Sequence, residues 1–248
     1  MRVTTTWNDA GMQLRLRLDS GEHLAGTGQD RMAIRLITNE AFVHHPDITP
    51  DVHPDLVALA ILTIVAPWAT TGLWLDTPVS REFAESVEAV FNIPVGPVDS
   101  ALEARAPGNT MGLLHSGGTD SAALLGFLPD SAPLIHLKRV RHPRVPNRAT
   151  HLRVDVSEYY ARRVAESDRS LHVFATDLEF LCQPFPTYPT WPAIAAGAIL
   201  LADHFKLGAL ASGMVLGTRY LSYGHVFHAD GDDDHAWRTV FNAVGLPH

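Results

Sequence analysis

Two hydrophobic periods alternate along this chain. Met12 to Leu18 reads MQLRLRL, apolar at every second position, which predicts a strand with one buried face. Met32 to Ile37 (MAIRLI) predicts a second strand of the same kind. Between them, GTGQD (Gly26 to Asp30) holds part of a dinucleotide fingerprint. Arg31 stands where a third glycine is needed and no helical pattern follows, so the stretch is read as a turn. Asp55 to Val65 and Glu82 to Phe91 carry helical spacing, and Thr77 to Ser80 (TPVS) supplies a start signal for the second helix. Leu56 to Leu75 contains no charge and has the length of a membrane span, about 20 residues. Pro67 interrupts it, Asp51, Asp55 and Asp76 flank it, and no Lys or Arg anchors either end. The reading is therefore a buried helix ending near Pro67, then a short segment into Leu73–Leu75.

Asn92 to Asn109 contains Pro94, Pro97 and Pro107 and reads as a connection. From Thr110 the pattern becomes strand, turn, helix, repeated. Strands are predicted at Met111–His115, Leu134–Val140, Leu171–Ala175 and Leu207–Val215. Helices are predicted from Asp120 to Phe127, over Val154–Ala165, and over the apolar Trp191–Phe205. Strands alternating with helices imply parallel pairing through right-handed crossovers, an α/β fold. Such sheets bind ligands outside the carboxyl ends of their strands. The chain thus divides into a smaller α+β region, 1–105, and a parallel-sheet domain, 106–248.

Composition narrows the classes. With 46% hydrophobic and 19% charged residues the 248-residue chain is that of a folded globular protein. Its net charge of -8 argues against a nucleic-acid partner, which needs clustered Lys and Arg; the densest basic run is Leu137 to Arg148. Cys182 is the single cysteine, which excludes an internal disulfide framework and a multi-cysteine metal centre. That usage fits a reducing compartment, and the N-terminal MRVTTTWNDAG lacks the apolar core of a signal peptide. A cytoplasmic location with no membrane partner is expected.

The chemistry concentrates at Leu113–Leu125, LLHSGGTDSAALL, where small polar residues separate two apolar runs. Gly117 and Gly118 permit backbone conformations closed to other residues, so that successive N–H groups can face one concavity. Ser116, Thr119 and Ser121 add hydroxyls, and Asp120 is a candidate cap for the following helix. The group favours a phosphate or pyrophosphate, and it does so without the lysine of a G-x-x-x-x-G-K-[ST] loop. A plain structural turn is the simpler alternative.

Ser116, Gly117, Gly118, Thr119, Asp120 and Ser121 complete the pattern S-G-G-x-D-S after an apolar strand. In this the chain resembles the N-type ATP pyrophosphatases, the PP-loop superfamily with an adenine nucleotide alpha hydrolase-like fold. The likeness runs to about Val215. It implies that ATP and Mg²⁺ are the cofactors, with Ser116 to Ser121 around the phosphates and Ser212 and Gly213 closing over the nucleotide. It implies roles in catalysis for Asp120, Ser121 and Arg219, with Asp120 and Asp177 as metal ligands. The reaction implied is adenylation of a small-molecule carboxylate or amide-type carbonyl with release of pyrophosphate. Ammonia, an amine or a sulfur donor then displaces AMP. In such proteins the end of the second strand borders the adenosine, which brings in Lys138 or Arg139. Cysteines typical of the sulfur-transferring and zinc-binding relatives are missing here. Many relatives carry a further C-terminal segment that completes the pocket. The end at Gly245–His248 leaves open a short chain, a segment lent by a partner chain or homodimer, or a nucleotide-binding subunit without turnover of its own.

Other readings compete at single positions. Leu114–Gly118 nearly fits the nucleophile elbow G-x-S-x-G, with Leu114 in place of its first glycine. A serine hydrolase would then use Ser116, with Asp177 and His204 or His225. Thr176 and Asp177 could instead cap a turn, and Arg219 could be a surface residue. His225 to Trp237 gathers His and Asp, but His235 replaces the glycine of a calcium loop and no glutamate closes it.

Overall fold

A computed structural model of the chain describes residues 1–27, 33–141, 157–165, 169–184, 188–213 and 232–248. β1 (Arg2–Asn8) and β2 (Gly11–Arg17) form an antiparallel hairpin. Met12, Leu14 and Leu16 of β2 are buried while Gln13, Arg15 and Arg17 are exposed, the period of a strand with one face on a core. β3 (Ala25–Thr27) and β4 (Ala33–Leu36) pair with each other, and β5 (Glu40–His44) returns to pair with β2. α1 (Pro54–Val65) starts at His53, whose ring nitrogen accepts from the Asp55 N–H, with Pro54 in the first turn where its missing N–H costs nothing. Every residue of α1 after Pro54 is buried, so the charge-free run is a core helix.

β6 (Leu73–Ser80) leads directly into α2 (Arg81–Phe91), where the Ser80 hydroxyl accepts from the Phe83 N–H as the start signal predicts. Asn92, at φ 54°, ends α2 in the left-handed region. The segment read as a plain connection contains β7 (Val95–Asp99), an edge strand that tolerates Pro97 because its outer backbone pairs with no neighbour.

The strand–helix series follows with β8 (Thr110–Leu114), α3 (Thr119–Leu124), β9 (Leu134–Arg139), α4 (Ser157–Ala165) and β10 (Leu171–Thr176). β11 (Cys182–Gln183), α5 (Ala196–Leu200), β12 (Leu207–Ser212) and α6 (Asp232–Ala243) complete it. Two predicted helices are shorter than their apolar patterns. α3 stops after six residues. Trp191–Phe205 divides into a 3₁₀ segment, Trp191–Ala195, then the five-residue α5, then turns. Gly197 faces the Phe174 ring so closely that a Cβ there would lie 2.3 Å from it. Asp203 is drawn from the helical path by Arg105 Nε at 2.8 Å and the His53 N–H at 2.8 Å.

Nine strands form one sheet in the order β12-β8-β9-β10-β5-β2-β1-β6-β7. The pairs β12·β8, β8·β9, β9·β10, β1·β6 and β6·β7 are parallel, and the three joints from β10 to β1 are antiparallel. The fold is mixed α/β with a large, mostly parallel central sheet. β11, β4 and β3 make a second, three-stranded sheet. Residues 1–105 and 106–248 share the main sheet through β5 and β10. The principal core joins β1, β2, β5, α1, α2, α5 and α6. A smaller cluster on the other side of the sheet buries Leu113 and Leu134 beneath Leu124, Leu125 and Leu128. Among the described residues no helix is long and apolar enough to cross a membrane.

Candidate functional site

β8 is the first parallel strand of the C-terminal series. β9 and β10 lie to one side of it, and β12 lies to the other. The strand order therefore reverses between β8 and β12, the kind of switch point outside whose carboxyl ends such sheets form a ligand crevice. Ser116–Gly118 leaves β8 at that switch point, and Gly213 leaves β12 there. The two segments touch: a Cβ on Gly213 would lie 2.6 Å from the Ser121 nitrogen and 2.7 Å from the Asp120 carbonyl carbon. On the opposite flank Gly117 has φ +80°, and a Cβ there would fall 2.6 Å from the Ala161 nitrogen of α4. The loop is thus held between the end of β12 and α4 at two positions that admit only glycine without backbone displacement.

Its hydroxyls tie the loop internally. The Gly118 N–H donates to Ser116 Oγ at 3.2 Å, Ser121 Oγ donates to the Gly118 carbonyl at 3.0 Å, and the two serine oxygens stand 3.1 Å apart. Because Ser121 has one proton and spends it on Gly118, Ser116 is the donor between the serines. Among the described residues, the amides of Ser116, Gly117, Thr119 and Asp120 make no hydrogen bond to protein. Ser116, Gly118, Thr119 and Asp120 are exposed, so these donors meet solvent or a ligand. Asp120 lies in the first turn of α3 rather than at its cap; the cap is Gly118, with no side-chain bond. With only six residues α3 contributes a small dipole.

Beneath the loop sits His115, 1% exposed, with neither ring nitrogen in a hydrogen bond to any of the described residues. Burial holds its pKa below the ordinary imidazole value, with His136 and Arg169 acting in the same direction. The Ala161 backbone stands near enough to favour the charged form slightly, but outside bonding geometry. His136 Nδ1 donates to the His115 carbonyl at 2.8 Å, fixing the strand end from which the loop departs. His136 and Ala161 carry no motif of their own. Only the place of one inside the apolar strand β9 and the alanine's on the buried face of an amphipathic helix signal them.

Lys138 and Arg139 are engaged. Lys138 Nζ meets Glu158 at 3.0 Å, tying β9 to α4, and Arg139 Nε meets Glu179 at 3.0 Å. Bonds from Lys138 and then Arg162 hold the Glu158 carboxyl below its usual pKa. Asp177 is placed elsewhere than the loop. β10 is two strands from β8, a lateral separation of about 10 Å at ordinary strand spacing. Asp177 Oδ1 accepts from the Phe42 N–H at 3.0 Å, and Thr176 Oγ1 donates to the Phe42 carbonyl at 2.6 Å. Asp177 also lines a groove of about 460 Å³ over β1, β2 and β5, beside Thr4, Gln13, Arg15 and Phe42. Among the described residues no three His, Cys, Asp or Glu side chains are grouped to hold a metal.

Comparison with known protein families, with curated proteins and with solved structures finds no match. The site is therefore read on its own geometry. Ser212 and Gly213 adjoin the loop, while Arg219, His225 and most of the His/Asp-rich stretch lie outside the described residues. His204 lies beside Asp47, 3.6 Å away, and Asp177 is bonded to Phe42, so neither reaches Ser116. Cys182 is fully buried, and burial pushes its thiol up to about 12, which keeps it protonated and unreactive near neutral pH.

Proposed function

We propose that the chain is a PP-loop enzyme that binds ATP at Ser116–Ser121 and adenylates a small molecule. The observation that carries this reading is the meeting of the loop with Gly213 at the point where the strand order reverses, with four loop amides open to a ligand. N–H groups of such a loop, if aimed at one phosphate, would stabilise charge gathering on departing pyrophosphate. Clamping between β12 and α4 holds those donors in place before reaction, so little reorganisation is needed.

The acceptor's carboxylate or carbonyl oxygen attacks the α-phosphorus, pyrophosphate leaves, and an acyl or imidoyl adenylate remains. Ammonia, an amine or a sulfur donor then displaces AMP. Asp120 is the carboxylate at the loop and the first candidate to hold Mg²⁺. The ion would supply charge neutralisation on the phosphates. Asp177 fits such a role less well, because its side chain already holds the Phe42 amide. Cys182 does not serve as the sulfur carrier, being buried and protonated.

Incubation of the chain with ATP, Mg²⁺, an ammonium salt and a panel of small carboxylates and amides tests the reading. Equimolar pyrophosphate and AMP, dependent on one acceptor, is the expected result. ATP binding with turnover only on addition of a second protein would make the chain a nucleotide-binding subunit. Ester cleavage without ATP, lost in Ser116→Ala, would make it a hydrolase and refute the proposal.

A further inference from the structure

The joint between β5 and β10 carries titratable groups that the loop chemistry does not use. His45 follows β5, His172 lies in β10, and His204 follows α5. The rings of His45 and His172 are 6.1 Å apart. Phe205 lies 4.3 Å from His172 and 4.6 Å from His204. One carboxylate serves the group: Asp47 Oδ2 is 3.5 Å from His45 Nδ1 and 3.6 Å from His204 Nε2. The neighbouring Asp203 is committed elsewhere, to Arg105 and to the His53 N–H.

The joint itself is short. Its ladder pairs only Ala175 with His44 and Thr176 with Val43, and the Thr176 and Asp177 side chains clip Phe42 beside it. His45 is 9% exposed, and its Nδ1 accepts the Asp47 N–H at 3.2 Å, which places the proton of the neutral ring on Nε2. Protonating Nδ1 sets two hydrogens against each other and breaks that bond.

We propose that this joint is acid-sensitive: proton uptake by His45 and His172, whose rings are 6.1 Å apart, sets like charges against one another and loosens the β5–β10 seam. The N-terminal half of the sheet is then freed from the half that carries the loop. The inference is independent of what the loop binds. Burial is the first cause holding His45 and His172 below the ordinary value of 6.5, and repulsion from the other histidines acts the same way. Asp47 opposes it, but one carboxylate balances one imidazolium, not two. The sign follows from linkage. Above pH 6.5 both the folded and the unfolded chain hold these rings neutral and the full stability is present. As pH falls below it, the unfolded chain binds protons first and stability is lost until the folded rings also titrate.

Hydrogen exchange of the intact chain at pH 7.5 and 5.5, corrected for intrinsic rates, reads the joint directly. Peptides over β5 and β10 should lose protection by about tenfold or more at pH 5.5, while those over α1 keep theirs. The triple variant His45→Gln/His172→Gln/His204→Gln should shrink the difference most, leaving only the contribution of His44, which pairs with Ala175 in the ladder and is held below the ordinary imidazole value by burial. His204→Gln alone, at a half-exposed position with little risk to folding, should shrink it by about threefold or more, since it removes one of the interacting charges. Equal protection at both pH values would overturn the proposal, as would a uniform loss over α1 and the joint together. An unchanged pH response in His204→Gln would also overturn it, whether or not the triple variant folds.

Discussion

The two faces of the main sheet are packed to different depths. One face lies on the principal core, where α1 is buried on every side and meets α5, β6 and the Trp191–Ala195 turn. The other face, under the candidate loop, is covered by the six-residue α3 and by α4 over a cluster whose fully buried members are Leu113 and Leu134. The thick layer fixes the strands. The thin layer holds a loop that, on the proposed function, a ligand must reach, and binding loops are drawn from the less stable parts of a fold.

Substitution of one leucine in each layer gives the largest effects. Leu59→Ala in α1 is expected near the upper end of the about 2–5 kcal/mol range for such changes, because its surroundings are closed on all sides. Leu134→Ala is expected near the lower end, because α3 can settle into the space. Denaturant unfolding of the two variants checks the order, and equal losses would contradict the contrast.

Gly117→Ala comes next. A left-handed φ costs a non-glycine residue about 1–2 kcal/mol, and the new methyl also meets the Ala161 backbone. Thermal melting should report a fall of several degrees, by the scaling of about 2–4 °C per kcal/mol for a chain of this size. His115→Leu should have the smallest effect and the opposite sign. It removes two buried nitrogens that lack partners, so stability should hold or rise by about 1 kcal/mol. A loss above that size would show that the ring has a partner after all.

Periodicity was most readable where one rule acted alone. β2, α1 and α2 follow from strict alternation, from an uncharged apolar run, and from an amphipathic pattern with its Ser80 cap. β1 was not legible, because RVTTTWN has threonines where apolar residues would mark the buried side; its identity comes from pairing with β2 and β6. β7 was hidden by Pro97 within it and Pro94 just before it, and the Trp191–Phe205 helix was cut short by the Gly197–Phe174 contact and by Arg105. The loop from Ser116 to Ser121 was legible as a strand-to-helix turn from its glycines. Its clamp, Ala161 on one flank and Gly213 on the other, depends on contacts between residues far apart in sequence. Asp177 was placed correctly at a strand end, but that end joins β5 rather than the loop.

The most direct measurement is calorimetric titration of the chain with Mg²⁺–ATP, run beside Gly213→Val. Saturable binding at one site is predicted, weakened at least about tenfold by the variant, whose side chain would displace the Ser121 and Asp120 backbone. Absence of ATP binding to the unaltered chain, or equal affinity in the folded variant, would contradict a nucleotide site at the β8–β12 crevice.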